Sequence, residues 1–215
     1  MILSRREFGK RATLTAVGMR LALIGAGVGM AGCNVFNDIL NWVPVGEASL
    51  NSILTVLTSN GVAIAPAIQS VVSLIEAGFT ALTAAVKEYQ STTPAPVGAV
   101  AKIQAAFNDI VDNFSTFLKS LSVSSGLVGI IVGLANVVFS TIAAFANQLP
   151  APATAKFSAS IREIHVGAVV QTVTPKLRTR RVFKKDFNST LDAGAKASLV
   201  IPKSAYLPLT FWEHL

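Results

Sequence analysis

The sequence predicts a mainly α protein: an antiparallel bundle of about four helices over residues 33–150, followed by a small β or irregular segment over 151–215. Three observations carry that expectation. Of 215 residues, 52% are apolar and only 13% charged, and the mean hydropathy is +0.57. A typical soluble domain holds about 25% charged residues, and disorder requires low hydropathy with high charge, so this chain can bury a sizeable core. Next, apolar residues between Leu50 and Leu149 recur at helical spacing, with turn signals between the runs. Finally, the composition changes at the proline-rich L-P-A-P-A-T-A (Leu149 to Ala155). Residues 33–150 hold three bases against six acids, and residues 151–215 hold ten against four. A single cysteine excludes an intramolecular disulfide or a multi-cysteine metal site, and two histidines exclude a histidine-rich one. No cofactor and no metal site are expected.

Residues 1–32 read as an export signal. Arg5, Arg6, Lys10, Arg11 and Arg20 face only one acid, Glu7, and the apolar stretch Leu21 to Ala31 follows. A charged start, an apolar middle and a small-residue end make a secretory signal. At S-R-R-E-F-G-K the segment resembles the bacterial twin-arginine signal, whose pattern is S/T-R-R-x-F-L-K. Ser4, Arg5, Arg6, Phe8 and Lys10 fall on that pattern, and Gly9 stands where leucine is usual. The resemblance implies export across a bacterial inner membrane by machinery that carries folded cargo. M-A-G-C (Met30 to Cys33) resembles a lipobox, with Met30 in place of the usual leucine. That resemblance implies diacylation of Cys33, the only cysteine in the chain, and anchoring in membrane lipid. The competing reading is ordinary cleavage after Ala31, because Gly29-Met30-Ala31 is also small-x-small. The same glycines, Gly27, Gly29 and Gly32, match G-x-G-x-x-G with Glu47 downstream. A dinucleotide site would need a full helix and further βαβ units. Pro44 interrupts the only candidate helix, so the motif is set aside.

Within the bundle, Leu50, Ile53, Leu54 and Leu57 define the first stripe, and Ser59-Asn60-Gly61 its stop. Pro66 suits the first turn of the second helix, where a missing N–H is harmless. Its stripe is Ile68, Val71, Val72, Ile75, Phe79, Leu82 and Val86, and T-T-P-A-P (Thr92 to Pro96) ends it. The third stripe is the cleanest. Ile103, Phe107, Ile110, Val111, Phe114, Phe117, Leu118 and Leu121 fall within about 140° of arc. Asp109, Asp112, Thr116 and Lys119 lie opposite.

The fourth helix, about Leu127 to Leu149, lies in a charge-free stretch of 36 residues between Lys119 and Lys156. Its polar seam is Gly129, Gly133, Asn136, Ser140 and Asn147. Such a helix is long enough to span a bilayer, and G-x-x-x-G at 129 and 133 allows close helix approach. It also suits the most buried helix of a bundle. A folded cargo hides its apolar helices, so burial is expected, with Gly133 against a neighbouring backbone. Beyond the linker, β-branched residues between Phe157 and Val173 suggest a strand region stopped by Pro175. Ser198 to Ile201 and Ala205 to Leu209 suggest two further short strands.

Chemistry-bearing groups are sparse. Glu163 and His165 share one face of a strand, which is half of a general base, but no G-x-S-x-G accompanies them, so a surface ion pair is expected. Asp109 and Asp112 lie on the solvated side of their helix, and His214 is next to last. Asn113 and Asn188 open glycosylation sequons that a bacterial export signal makes irrelevant. The strongest candidate surface is K-L-R-T-R-R-V-F-K-K, where Lys176, Arg178, Arg180, Arg181, Lys184 and Lys185 interleave with apolar residues. Such a run attracts anionic headgroups. An exported protein rarely meets nucleic acid, so anionic lipid or an envelope polymer is the expected partner. The expectation is therefore an exported, lipid-anchored envelope protein with a structural, binding or assembly role and no catalytic site. One alternative is a membrane-active protein inserting the helical hairpin 100–149, and another is an envelope hydrolase with an unrecognised site. The sequence leaves the oligomeric state open. Because twin arginines are read by a receptor rather than as charge, Arg5→Lys with Arg6→Lys should leave the precursor in the cytoplasm. Normal export of that variant in cell fractionation would assign the general secretion route instead.

Overall fold

The computed structural model describes residues 35–92, 98–149, 163–166 and 168–209. Ser4, Arg5, Arg6, Phe8, Lys10, the glycines at 27–32, Cys33 and His214 lie outside the described residues. Within them the protein is mainly α, with five helices and one small antiparallel sheet. Helix α1 covers residues 35–59. It is followed by α2 (Pro66–Ser91), α3 (Ala99–Ser120) and α4 (Ser125–Gln148). Strands β1 (Glu163–Val166) and β2 (Val169–Thr172) form a hairpin, and α5 (Arg180–Lys196) and a short 3-10 turn (Lys203–Ala205) complete the order.

The predicted stripes become the core. Leu50, Ile53 and Leu57 of α1, Ile75, Phe79, Leu82 and Val86 of α2, and all eight stripe residues assigned to α3 are buried. Helix α1 differs from expectation at its start, since it runs through Pro44. A proline inside a helix costs about 3 kcal/mol. Here Pro44 itself is exposed, while Phe36, Ile39, Trp42, Val43 and Val45 around it are buried. Each buried side chain contributes about 1.5–3 kcal/mol, so their burial outweighs the missing N–H.

Neighbouring helices alternate in direction. Gln90 Nε2 donates to Asn37 Oδ1 at 2.9 Å, which sets the end of α2 beside the start of α1. Lys102 reaches Glu88 at 2.7 Å, which sets the start of α3 at the same end. Trp42 collects that end of the bundle: its ring centre lies 5.8 Å from Phe79 of α2, 5.9 Å from Phe145 of α4 and 6.1 Å from Phe183 of α5. Phe114 meets Phe139 edge-on at 5.2 Å and joins α3 to α4.

The C-terminal third departs most from the reading of the sequence. The β hairpin lies within the predicted strand region, with Ile164 and Val166 buried and Glu163 and His165 facing out. The rest is not β or irregular alone, for α5 is a 17-residue helix. Thr179 caps it, accepting a hydrogen bond from the Val182 N–H at 3.3 Å. Phe183, Phe187 and Leu191 then recur at a spacing of four, and all three are fully buried. The two short strands expected after it are an extended tail carrying the 3-10 turn. Both compositional halves therefore share one core.

Helix α4 is the centre of that core, buried from Leu127 to Ala146 except along a narrow seam. The seam is where α5 seats. A Cβ on Gly133 would fall 2.9 Å from Thr190 Cγ2, whereas one on Gly129 would meet nothing. Gly133 thus admits a side chain of α5 rather than a neighbouring backbone, and the G-x-x-x-G pair is not an interface as a unit. The measurable consequence lies in thermal unfolding. Gly133→Leu should lower the midpoint by overpacking against α5, at about 1–3 kcal/mol. Gly129→Leu should leave it unchanged or slightly raised.

Candidate functional site

The basic run begins where the chain leaves β2 and crosses α4. The Lys176 N–H donates to the Ser140 carbonyl at 2.9 Å, pinning the crossing to the C-terminal half of α4. Two residues later the Arg178 side chain turns inward and is buried. Its Nη1 donates to Ser140 Oγ at 2.7 Å and Thr141 Oγ1 at 3.1 Å, and its Nε donates to Asp186 Oδ2 at 2.8 Å. The two hydroxyls are prepared to accept. Ser140 Oγ donates to the Asn136 carbonyl and Thr141 Oγ1 to the Val137 carbonyl, so their lone pairs remain for the guanidinium. Asp186, nearly two turns into α5, also takes Lys176 Nζ at 3.1 Å. Partial burial raises the Asp186 carboxyl. The hydrogen bonds and charges of Arg178 and Lys176 together outweigh that and hold it below the ordinary carboxylate value.

This arrangement divides the six predicted surface bases. Arg178 is a structural cation rather than a surface one, because it is fully engaged between α4 and α5. Lys184 is also buried, and its Nζ donates to the Pro208 carbonyl at 2.8 Å. Both are corrections to the expectation of a solvent-facing run: Arg178 is drawn in by the crossing over α4 and by Asp186, and Lys184 by helical geometry. A helix puts residues four apart on one face, so the face that buries Phe183 and Phe187 also draws in its neighbour. Lys176 is exposed but paired with Asp186. Arg180, Arg181 and Lys185 are exposed, beside the half-exposed apolar Leu177 and Val182.

The sequence reading missed Ser140, Thr141 and Asp186, the acceptors that hold Arg178. The available signal was adjacent hydroxyls in a stretch otherwise free of charge. It also missed two asparagine clamps. Asn60 pairs with both the N–H and the C=O of Val200, at 3.1 and 2.8 Å. Asn188, noted only as a sequon, does the same to Leu207, at 2.9 Å each way. Ser52 Oγ donates to the Ala205 carbonyl, and the Tyr206 hydroxyl donates to Asp192 at 3.0 Å. The tail over 199–209 is thus strapped along α1 and α5.

The other candidates resolve simply. His165 Nε2 lies 3.4 Å from Glu163 Oε2, with Glu163 exposed and His165 half-buried, the geometry of a surface pair. Asp109 and Asp112 are exposed on α3. Among the described residues no group of three or more His, Cys, Asp or Glu comes together. Two buried atoms, Trp42 Nε1 and Asn136 Oδ1, lack a hydrogen-bond partner there.

No family model, curated protein or solved structure matches the chain.

Asp186 contributes stability that is present above the ordinary aspartate range and lost as pH falls through its depressed value. Asp186→Asn should lower neutral-pH stability by about 1.5–3 kcal/mol, the range for hydrogen bonds to charged groups. The gap between wild type and variant should close as the solution is acidified. A pH series of thermal melts checks this: a gap that stays constant into acid would separate Asp186 from the Arg178 network.

Proposed function

We propose that this is an exported, lipid-anchored envelope protein whose helical bundle serves a structural, binding or assembly role rather than catalysis. The observation that carries the reading is the seating of α4. Two helices among the described residues, α2 and α4, are long and apolar enough to cross a membrane, and to that extent the chain is compatible with membrane association. In α4, 78% of the most apolar window is buried, and its polar seam is covered at Gly133 by α5 and at Ser140 by Arg178. A helix enclosed in this way needs no bilayer around it, which suits a cargo folded before export. Attachment then falls to Cys33, just before the described start of α1.

The inserting-hairpin alternative has less support. It pairs α3 with α4, and α3 is not among the helices apolar enough to span. Its Asp109, Asp112 and Lys119 line the exposed face. The hydrolase alternative, with a site the sequence does not reveal, has Glu163 and His165 as its only paired candidates among the described residues. Hydrolase activity lost in Glu163→Ala or His165→Ala protein would favour that alternative.

The anchor is tested by fractionation and mass. Wild-type protein should resist carbonate extraction and carry the added mass of a diacylglyceryl group. Cys33→Ala protein should be extracted in soluble form. Retention of Cys33→Ala in the carbonate pellet would overturn the lipid-anchored reading in favour of inserted helices.

A further inference from the structure

We propose that the end of the bundle at which α1 begins is a docking surface for an anionic lipid membrane, with Arg181 and Lys185 toward the headgroups and Leu177 and Val182 entering between them. The proposal rests on the lipid-anchored reading and adds the orientation that the anchored bundle takes.

The first argument is the length of the tether. Helix α1 is already formed at residue 35, two residues after Cys33. Two extended residues reach about 7 Å. An acylated Cys33 therefore leaves no spacer, and the start of α1 must sit at headgroup level.

The second argument is what shares that end. Asp38, Asn41 and Trp42 of α1 line one cleft of ≈ 320 Å³ with Leu177, Arg178, Thr179 and Arg180. The start of α5 is thus beside the start of α1, and whatever holds one at the membrane presents the other to it. The exposed side chains there are of the kind an interface takes. Leu177 is 48% and Val182 40% exposed, among the exposed bases Arg181 and Lys185. Such apolar side chains insert at the headgroup boundary while Lys and Arg remain with the phosphates. The first turn of α5 also directs its N–H groups and positive dipole end the same way.

Charge balance agrees. Of the six bases in 176–185, Arg178 and Lys184 are buried, Lys176 is paired with Asp186 and Arg180 lines the cleft, which leaves Arg181 and Lys185 as the exposed charges the surface offers. Asp186 is occupied by Arg178 and Lys176. The other end of α5, with Lys196 and Lys203 nearby, is about 25 Å away along the helix. That exceeds the screening length of about 8–10 Å in physiological salt, so those charges lie outside the surface field. A diacyl anchor suffices for attachment; the patch fixes which face of the bundle points outward.

The test uses the full chain with Cys33→Ala, so that acylation does not contribute. A single cysteine is placed at Val182→Cys or at Val200→Cys, which is exposed at the far end, and labelled with a polarity-sensitive dye. The protein is mixed with phosphatidylcholine vesicles with or without phosphatidylglycerol. The dye at 182 should shift to the blue on the phosphatidylglycerol vesicles and the dye at 200 should not. Arg181→Gln with Lys185→Gln should weaken binding about 25-fold, at about fivefold per charge, and Lys196→Gln with Lys203→Gln less than about twofold. Residues 1–32 are common to all variants, so the contrast between the two glutamine variants reads the patch itself. The charge-preserving Arg181→Lys with Lys185→Arg should bind as the parent does; a loss there would overturn the charge argument. Equal shifts at 182 and 200, or equal losses in the two glutamine variants, would overturn the docking surface. A wild-type mass without the acyl group would instead overturn the anchor and leave the vesicle comparison standing.

Discussion

A charged guanidinium set into the most apolar helix of the protein is the interaction on which the rest of the arrangement depends. Helix α4 has no ionisable residue, yet its seam carries Ser140, Thr141 and Asn136, whose polar atoms must be satisfied once water leaves. Arg178 answers two of them and brings Asp186 with it. Isolated, either charge would be expensive to bury; together with the hydroxyls they form a closed set. That set fixes where the chain crosses α4 and hence the register of α5. The register places Thr190 over Gly133 and Phe183 against Trp42.

Much of the bundle was legible in the sequence because its signal is periodic and local. The α3 stripe predicts its own burial, and the Ser59-Asn60-Gly61 stop and Pro66 start frame the turn between α1 and α2. What escaped was set by distant partners. Pro44 reads as a break, and only the packing of Trp42, Val43 and Val45 carries the helix through it. The start of α5 reads as a solvated basic loop, since six bases within ten residues obscure the apolar spacing that begins at Phe183. Charge in a sequence also says nothing of direction: Arg178 and Lys184 point inward, while Arg181 and Lys185 point outward.

The asparagines show the same limit from the polar side. An amide side chain presents a donor and an acceptor with the spacing of a peptide group, so Asn60 and Asn188 pair with a single residue of the tail as a neighbouring strand would. Two such pairs straighten residues 199–209 along the bundle without a sheet. Local pattern has no means of signalling this, because the partners of Asn60 lie 140 residues away.

The late position of α5 in the chain has a consequence for timing. A ribosome delivers α4 first, with its hydroxyls bare and Trp42 short of one aromatic neighbour, and releases Arg178 and Phe183 only some forty residues after Ser140. Until then the apolar face that α5 covers on the bundle stays open. The seating of α5 is therefore the closing step of the core, since Phe183 reaches Trp42 and Arg178 reaches Ser140 and Thr141 only then.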